Sequence, residues 1–167
     1  MTSELRVDKI IPTDGVSAGS GNSPGTSFVG GGGVIQVQMG ASENSQYISD
    51  NNSWRTTGLN VNITPKFATS KMIIMFSAYC YTSLASSHNQ RIHFKMQRNG
   101  SDISNTYAVA AESGSGGLQG KASGAMTIFD SPNTTSAVTY KMQAYNAGNW
   151  STNGMYSPSL IAMEVSA

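Results

Sequence analysis

Nine carboxylates, two histidines and one cysteine are the side chains of this sequence best suited to acid–base work, metal binding or thiol chemistry. The acids are Glu4, Asp8, Asp14, Glu43, Asp50, Asp102, Glu112, Asp130 and Glu164, scattered along the chain. A polysaccharide-cleaving enzyme needs two carboxylates flanking one glycosidic bond, and no local pattern pairs any two of these. His88 and His93 lack cysteine or acidic neighbours at metal-ligand spacing. His93 alternates with Arg91 and Lys95, which reads as a solvated strand face. Cys80 lies in an apolar run with no nearby charge to activate a thiolate, so it is expected as a buried small hydrophobe. As the single cysteine it can form no intrachain disulfide.

Two stretches imitate known loops without meeting their requirements. Ser113–Ala122 has the Gly120-Lys121 pair of a phosphate loop, but Ser115 stands where the first glycine belongs and Ala122 replaces the required hydroxyl. It is expected as a flexible loop between strands. Asp50–Arg55 fails the calcium-loop pattern at Trp54 and Arg55. Asn-X-Ser/Thr triplets at Asn51, Asn62, Asn99, Asn133 and Asn149 are expected by chance in a chain this rich in those residues. Convergent catalytic groups are not visible, and we expect no turnover, no metal and no cofactor. One binding chemistry does stand out. The polar stretches 81–89 and 146–157, read as loops, carry Tyr81, Trp150 and Tyr156. Aromatic faces beside amides and hydroxyls suit sugar rings, so these three are candidate glycan contacts. The plainer reading packs each ring against the end of the fold.

Composition narrows the partners. Charged residues are 11% of the chain, against roughly 25% in typical soluble domains, and the net charge is +1. Without a concentrated basic footprint, nucleic-acid binding is not expected. The first eight residues carry charges where a signal peptide needs an apolar stretch, and no run reaches the roughly 18 apolar residues of a membrane span. We therefore expect synthesis in a cytoplasm, without export by a standard signal and without membrane insertion. Hydrophobic residues at 38% suffice for a packed core.

The elements that must position these residues fall into three parts. Residues 1–12 alternate apolar and charged positions and end on Ile10, Ile11 and Pro12, as one short extended segment. Residues 13–33 have the Gly/Ser composition of a linker, ending on four glycines. An isolated apolar strand on a tether cannot bury itself. Leu5, Val7, Ile10 and Ile11 are therefore expected to dock into a sheet edge or groove of another protein, the alternative being a frayed terminus. From Val34 to residue 167 the signal is β throughout. Candidate strands are Val34–Met39, Leu59–Thr64, Lys71–Tyr79, Arg91–Arg98, Asp102–Val109, Gly124–Asp130, Ala137–Tyr145 and Ser159–Val165. Asn99-Gly100 predicts a type I′ hairpin turn, because both central positions need positive φ.

The faces of these strands differ in kind. Leu59, Val61 and Ile63 alternate with Asn60, Asn62 and Thr64. Ile92, Phe94 and Met96 alternate with Arg91, His93, Lys95 and Gln97, and Val138, Tyr140 and Met142 with Thr139, Lys141 and Gln143. Each of these strands has one wet face. Three others are apolar on both faces. Met72, Ile74 and Phe76 oppose Ile73, Met75 and Tyr79; Met126 and Ile128 oppose Ala125 and Phe129; Leu160 and Ala162 oppose Ile161, Met163 and Val165. A two-layer sandwich covers only one face of each sheet. The second apolar face, with Ile73, Met75, Tyr79, Phe129, Ile161, Met163 and Val165, is expected to pack against copies of the same chain.

This layout resembles the TNF-like jelly roll of complement-type heads and phage fibre knobs. The stretches Ser3–Ile11, Ile63–Lys71, Phe94–Gly100, Asp130–Gln143 and Leu160–Val165 further resemble virion structural and fibre proteins of marine tailed bacteriophages, cyanophages among them. The resemblance implies an all-β, TNF-like jelly-roll sandwich of about eight to ten antiparallel strands behind an extended N-terminal arm, with the last strand central to the apolar sheet. It implies a homotrimeric knob of a virion, held to other virion proteins of the tail, collar, fibre or capsid through residues 1–12. Contact with a host surface glycan is the finer expectation. The alternatives are a capsid decoration (cement) protein, a glycan-binding adhesin at a fibre tip and, from another class, a small glycan-cleaving enzyme.

Overall fold

The computed structural model describes residues 33–41, 46–48, 53–83, 90–105, 107–112, 119–147 and 153–166. The segment 1–12 expected as an attachment arm, and all but the last residue of the expected linker 13–33, lie outside them. The described residues form ten strands and no helix: β1 Val34–Ala41, β2 Gln46–Ile48, β3 Trp54–Ile63, β4 Lys71–Ser83, β5 Gln90–Arg98, β6 Ser101–Asp102, β7 Tyr107–Glu112, β8 Gln119–Asp130, β9 Val138–Ala147 and β10 Asn153–Val165. All pair antiparallel, in two five-stranded sheets. The first runs β1-β10-β4-β8, with β2 also on β10; the second runs β3-β9-β5-β6, with β7 also on β5. This is a jelly-roll-like β sandwich, as the resemblance implies, and β10 lies inside its sheet between β1 and β4.

Period-two alternation decides which side chains enter the core. From β3, Leu59, Val61 and Ile63 are buried; from β4, Met72, Ile74 and Phe76; from β5, Ile92, Phe94 and Met96. Tyr140 and Met142 of β9 and Leu160 and Ala162 of β10 complete the layer. Phe76 meets Phe94 across the two sheets with ring centroids 5.0 Å apart, within the favourable range for tilted aromatic pairs.

Three polar or close-packed joints hold the sheets in register. Arg98 Nη1 donates to both oxygens of Asp130 at 2.8 Å, and the Tyr140 hydroxyl donates to Asp130 Oδ2 at 2.7 Å. Burial and the Asp130 carboxylate together push ionisation of Tyr140 far above its ordinary range. Glu164 is fully buried, and its carboxylate accepts hydrogen bonds from the backbone amides of Lys66 (2.7 Å) and Phe67 (3.3 Å) and from the Gln36 side chain. One side chain thus ties β10 to β1 and to the turn between β3 and β4. Gly40 of β1 lies against the backbone of β3, so closely that a Cβ there would sit 1.9 Å from the Asn60 carbonyl oxygen. Only glycine allows that approach.

The strand ends correct the sequence reading in several places. The strand expected over Asp102–Val109 is two. After the Asn99-Gly100 turn (φ of 48° and 88°), the Ile103 amide donates to the Met96 carbonyl and the Ser104 hydroxyl accepts from the Met96 amide, which takes the chain out of the ladder until Tyr107. The last strand begins at Asn153 rather than Ser159. Pro158 cannot donate to a ladder, but a bulge between Tyr156 and Ser159, with Ser157 at φ 46°, lets the strand pass through it. β8 extends back to Gln119, claiming part of the expected 113–122 loop, and β3 extends back to Trp54. The short β2 was not anticipated; three residues are too few to show a period.

Candidate functional site

The second faces of the long strands do point out of the first sheet. The register aligns them in rows. Val37 of β1 lies opposite Met163 of β10, Met163 opposite Ile73 of β4, and Ile73 opposite Phe129 of β8. The next row is Met39, Ile161, Met75 and Thr127. Val165 flanks the first row, beside Val34 and Lys71. Ile73, Met75, Ile161, Met163 and Val165 are only half-buried, while Met39 is 68% and Phe129 75% exposed. None of these seven belongs to the chain's own core.

A narrow belt of small side chains follows. Ser159, Ser77 and Ala125 occupy one row, and the Ser77 and Ser159 hydroxyls hydrogen-bond at 2.8 Å. Beyond the belt the surface turns aromatic. Tyr81 stacks on Tyr156 with centroids 5.0 Å apart, and Tyr79, 42% exposed, leans on Tyr156 at 6.1 Å. The face is therefore apolar at one end, pinched by serines, and tyrosine-rich at the other. Its described charges, Lys71 and Lys121, stand at the two ends.

Sequence reasoning placed Tyr81 and Tyr156 in loops. The structure corrects this: both lie inside strands, because β4 and β10 run on past the polar residues that looked like strand ends. Tyr81 and Tyr156 thereby join Tyr79 on one surface, so the glycan and interface readings compete for the same rings. Trp150 lies outside the described residues, as do Leu5, Val7, Ile10 and Ile11. Val37 and Met39 belong to the same exposed apolar face, and the sequence reading missed them. The signal was there, as apolar residues alternating with Gln36 and Gln38. Gln36 turns toward Glu164 and leaves the apolar pair outside.

The other chemistry-bearing residues have structural settings. Cys80 is fully buried, and burial pushes its thiol up to about 11. Asp130 and Glu164 are held by the joints described above. His93 and Lys95 are not simply solvated. Lys95 Nζ pairs with Asp102 at 2.9 Å and lies 4.6 Å from the Trp54 ring centre, leaving its side chain 14% exposed. Among the described residues, no three of His, Cys, Asp or Glu gather where they could hold a metal ion, and no helix is long and apolar enough to cross a membrane.

No protein-family model matches the chain, and no curated protein does. Solved structures share its general shape at low identity. A chain of dimeric latent PorU from Porphyromonas gingivalis aligns over 78% of this chain and 13% of its own, at 11% identity and a TM-score of 0.43. A chain from the structure of infectious bursal disease virus, Gx strain, aligns over 95% of this chain and 37% of its own, at 12% identity and TM-score 0.43. The CBM22-1 xylan-binding domain of Paenibacillus barcinonensis Xyn10C aligns over 83% of this chain and 99% of its own, at 11% identity and TM-score 0.30. This chain thus spans a small part of the first two, and all three TM-scores are too low to bear on what it does.

Proposed function

We propose that this chain is a structural subunit of a tailed-bacteriophage particle: a homotrimeric knob, fastened to other virion proteins by residues 1–12, whose work is assembly rather than turnover. One observation carries the self-association; the number three is what the resemblance implies. The outer face of the first sheet presents two consecutive rows of large apolar side chains, from Val37 and Met39 to Phe129. Fully burying one such side chain is worth about 1.5–3 kcal/mol, and soluble monomers rarely leave a contiguous patch of this kind in water. Three copies around an axis cover the face with itself and close the assembly, leaving no apolar rows to recruit further copies. The phage setting is supported by the resemblance in the arm and in the strand motifs.

Sedimentation velocity of the purified chain at micromolar concentration tests the assembly. The expected species has three times the mass of the chain, and a stable monomer overturns the proposal. Particles assembled with a chain lacking residues 1–12 test the attachment. Those particles are expected to lack the knob; normal incorporation would overturn the role given to the arm.

A further inference from the structure

The solvent side of the second sheet holds a cluster that the apolar face does not involve. Trp54, Tyr145 and His93 lie side by side in one register row across β3, β9 and β5. The Trp54 and Tyr145 ring centroids are 5.4 Å apart with 37° between planes, and His93 meets Tyr145 edge-on at 5.6 Å. The next row is Thr56, Gln143 and Lys95; the one after is Asn60, Lys141 and Gln97. Gln97 and Lys95 both donate to Asp102, which holds the Lys95 ammonium over one face of the indole, 4.6 Å from its ring centre.

We propose that this face is a carbohydrate-binding platform for a pyranose polysaccharide. A pyranose ring has an apolar C–H face and a rim of hydroxyls. With one indole face taken by Lys95, the Trp54–Tyr145 pair still offers aromatic edge and ring surface, and the neighbouring rows offer the Thr56 hydroxyl, the Gln143, Asn60 and Gln97 amides and the Lys141 ammonium, spaced about 4.8 Å apart within each row. Successive sugars can therefore each find a polar partner while one stacks. Nucleic acid fits less well, because the face has no concentrated basic footprint: alternation puts only Arg91, Lys95 and Lys141 on it, and Lys95 is paired with Asp102. The platform lies on the opposite side of the sandwich from the apolar face. It stays open whether or not the knob is a trimer, and the inference does not rest on that reading.

Native affinity electrophoresis of the full chain, in gels containing hydroxyethylcellulose, xylan, galactomannan, alginate or polygalacturonate, tests the proposal. At least one polymer is expected to retard the protein, and the neutral and acidic gels identify the sugar class. Trp54→Ala and Tyr145→Ala are expected to weaken retardation roughly tenfold or more, the usual cost of truncating a central aromatic contact. Tyr156→Ala, on the other sheet, leaves it unchanged. Retardation in none of the gels overturns the proposal. So does retardation that survives Trp54→Ala, or that acidic polymers alone produce and salt abolishes with no dependence on Trp54. If Trp54→Ala fails to fold, Gln143→Ala serves instead: weaker binding at unchanged melting temperature supports the platform, and equal binding overturns it.

Discussion

Ile73 and Met163 lie directly opposite each other in the β4–β10 ladder, and both side chains point away from the core. A carboxylate at either position costs the isolated subunit little, since both are half-exposed there. In an assembly the same carboxylate is buried without a partner, at a cost of several kcal/mol repeated in every copy. Ile73→Glu and Met163→Glu are therefore expected to sediment as folded monomers, while Lys141→Glu on the second sheet keeps the parent mass. Loss of far-UV β signal together with mass would instead point to misfolding.

Gly40→Ala is expected to destabilise the fold without touching the apolar face. The added Cβ would meet the Asn60 carbonyl carbon and oxygen, which are backbone and cannot swing aside. Overpacking of this kind typically costs about 1–3 kcal/mol. A melting temperature several degrees lower, with unchanged assembly at low temperature, is the expected result; an unchanged melting curve would mean that β1 simply shifts off β3.

Acid should loosen the same edge through Glu164. Burial raises the affinity of this carboxyl for a proton, but the hydrogen bonds from Gln36 and from the Lys66 and Phe67 amides outweigh it, holding the group below its usual range. A lowered folded-state value means that its contribution to stability is complete above the unfolded-state value, about 4.3, and drains away as pH falls through the folded-state one. Thermal unfolding between about pH 5 and pH 3 should show wild type losing more stability than Glu164→Gln, which starts lower at neutral pH. Parallel pH profiles would remove Glu164 from the account.

Cys80 should resist thiol reagents in the native state. With no solvent access and its ionisation pushed up to about 11, its thiolate is scarce at neutral pH. Labelling by an aromatic disulfide reagent is expected to wait for unfolding, and rapid labelling of the folded protein would contradict the packing of β4.

The two-faced apolar strands were legible in the sequence because alternation reports geometry directly: Met72 and Ile73 cannot share a side of a strand. Asn99-Gly100 was legible because positive φ leaves few residue choices. The aromatic cluster of the second sheet was not. Trp54 follows Asp50, Asn51, Asn52 and Ser53 and precedes the strand expected at Leu59–Thr64, and its meeting with Tyr145 and His93 depends on a register between strands about 40 and 90 residues away along the chain. Tyr81 and Tyr156 were misplaced for a related reason. Polar residues beside them looked like strand ends, whereas bulges and long central ladders let a strand continue through them.

The entry and exit of the jelly roll are fastened together: the Gly33 amide donates to the Ser166 hydroxyl, and the Ser166 amide donates to the Gly33 carbonyl. Whatever precedes residue 33 and whatever is fused after residue 166 must therefore leave from a single pole. The Asn99-Gly100 tip joins neighbouring strands within one sheet. A short peptide bridging 33 to 166, with the chain reopened at that tip, would rewire the order of the strands while sparing every ladder except the short β5–β6 pair.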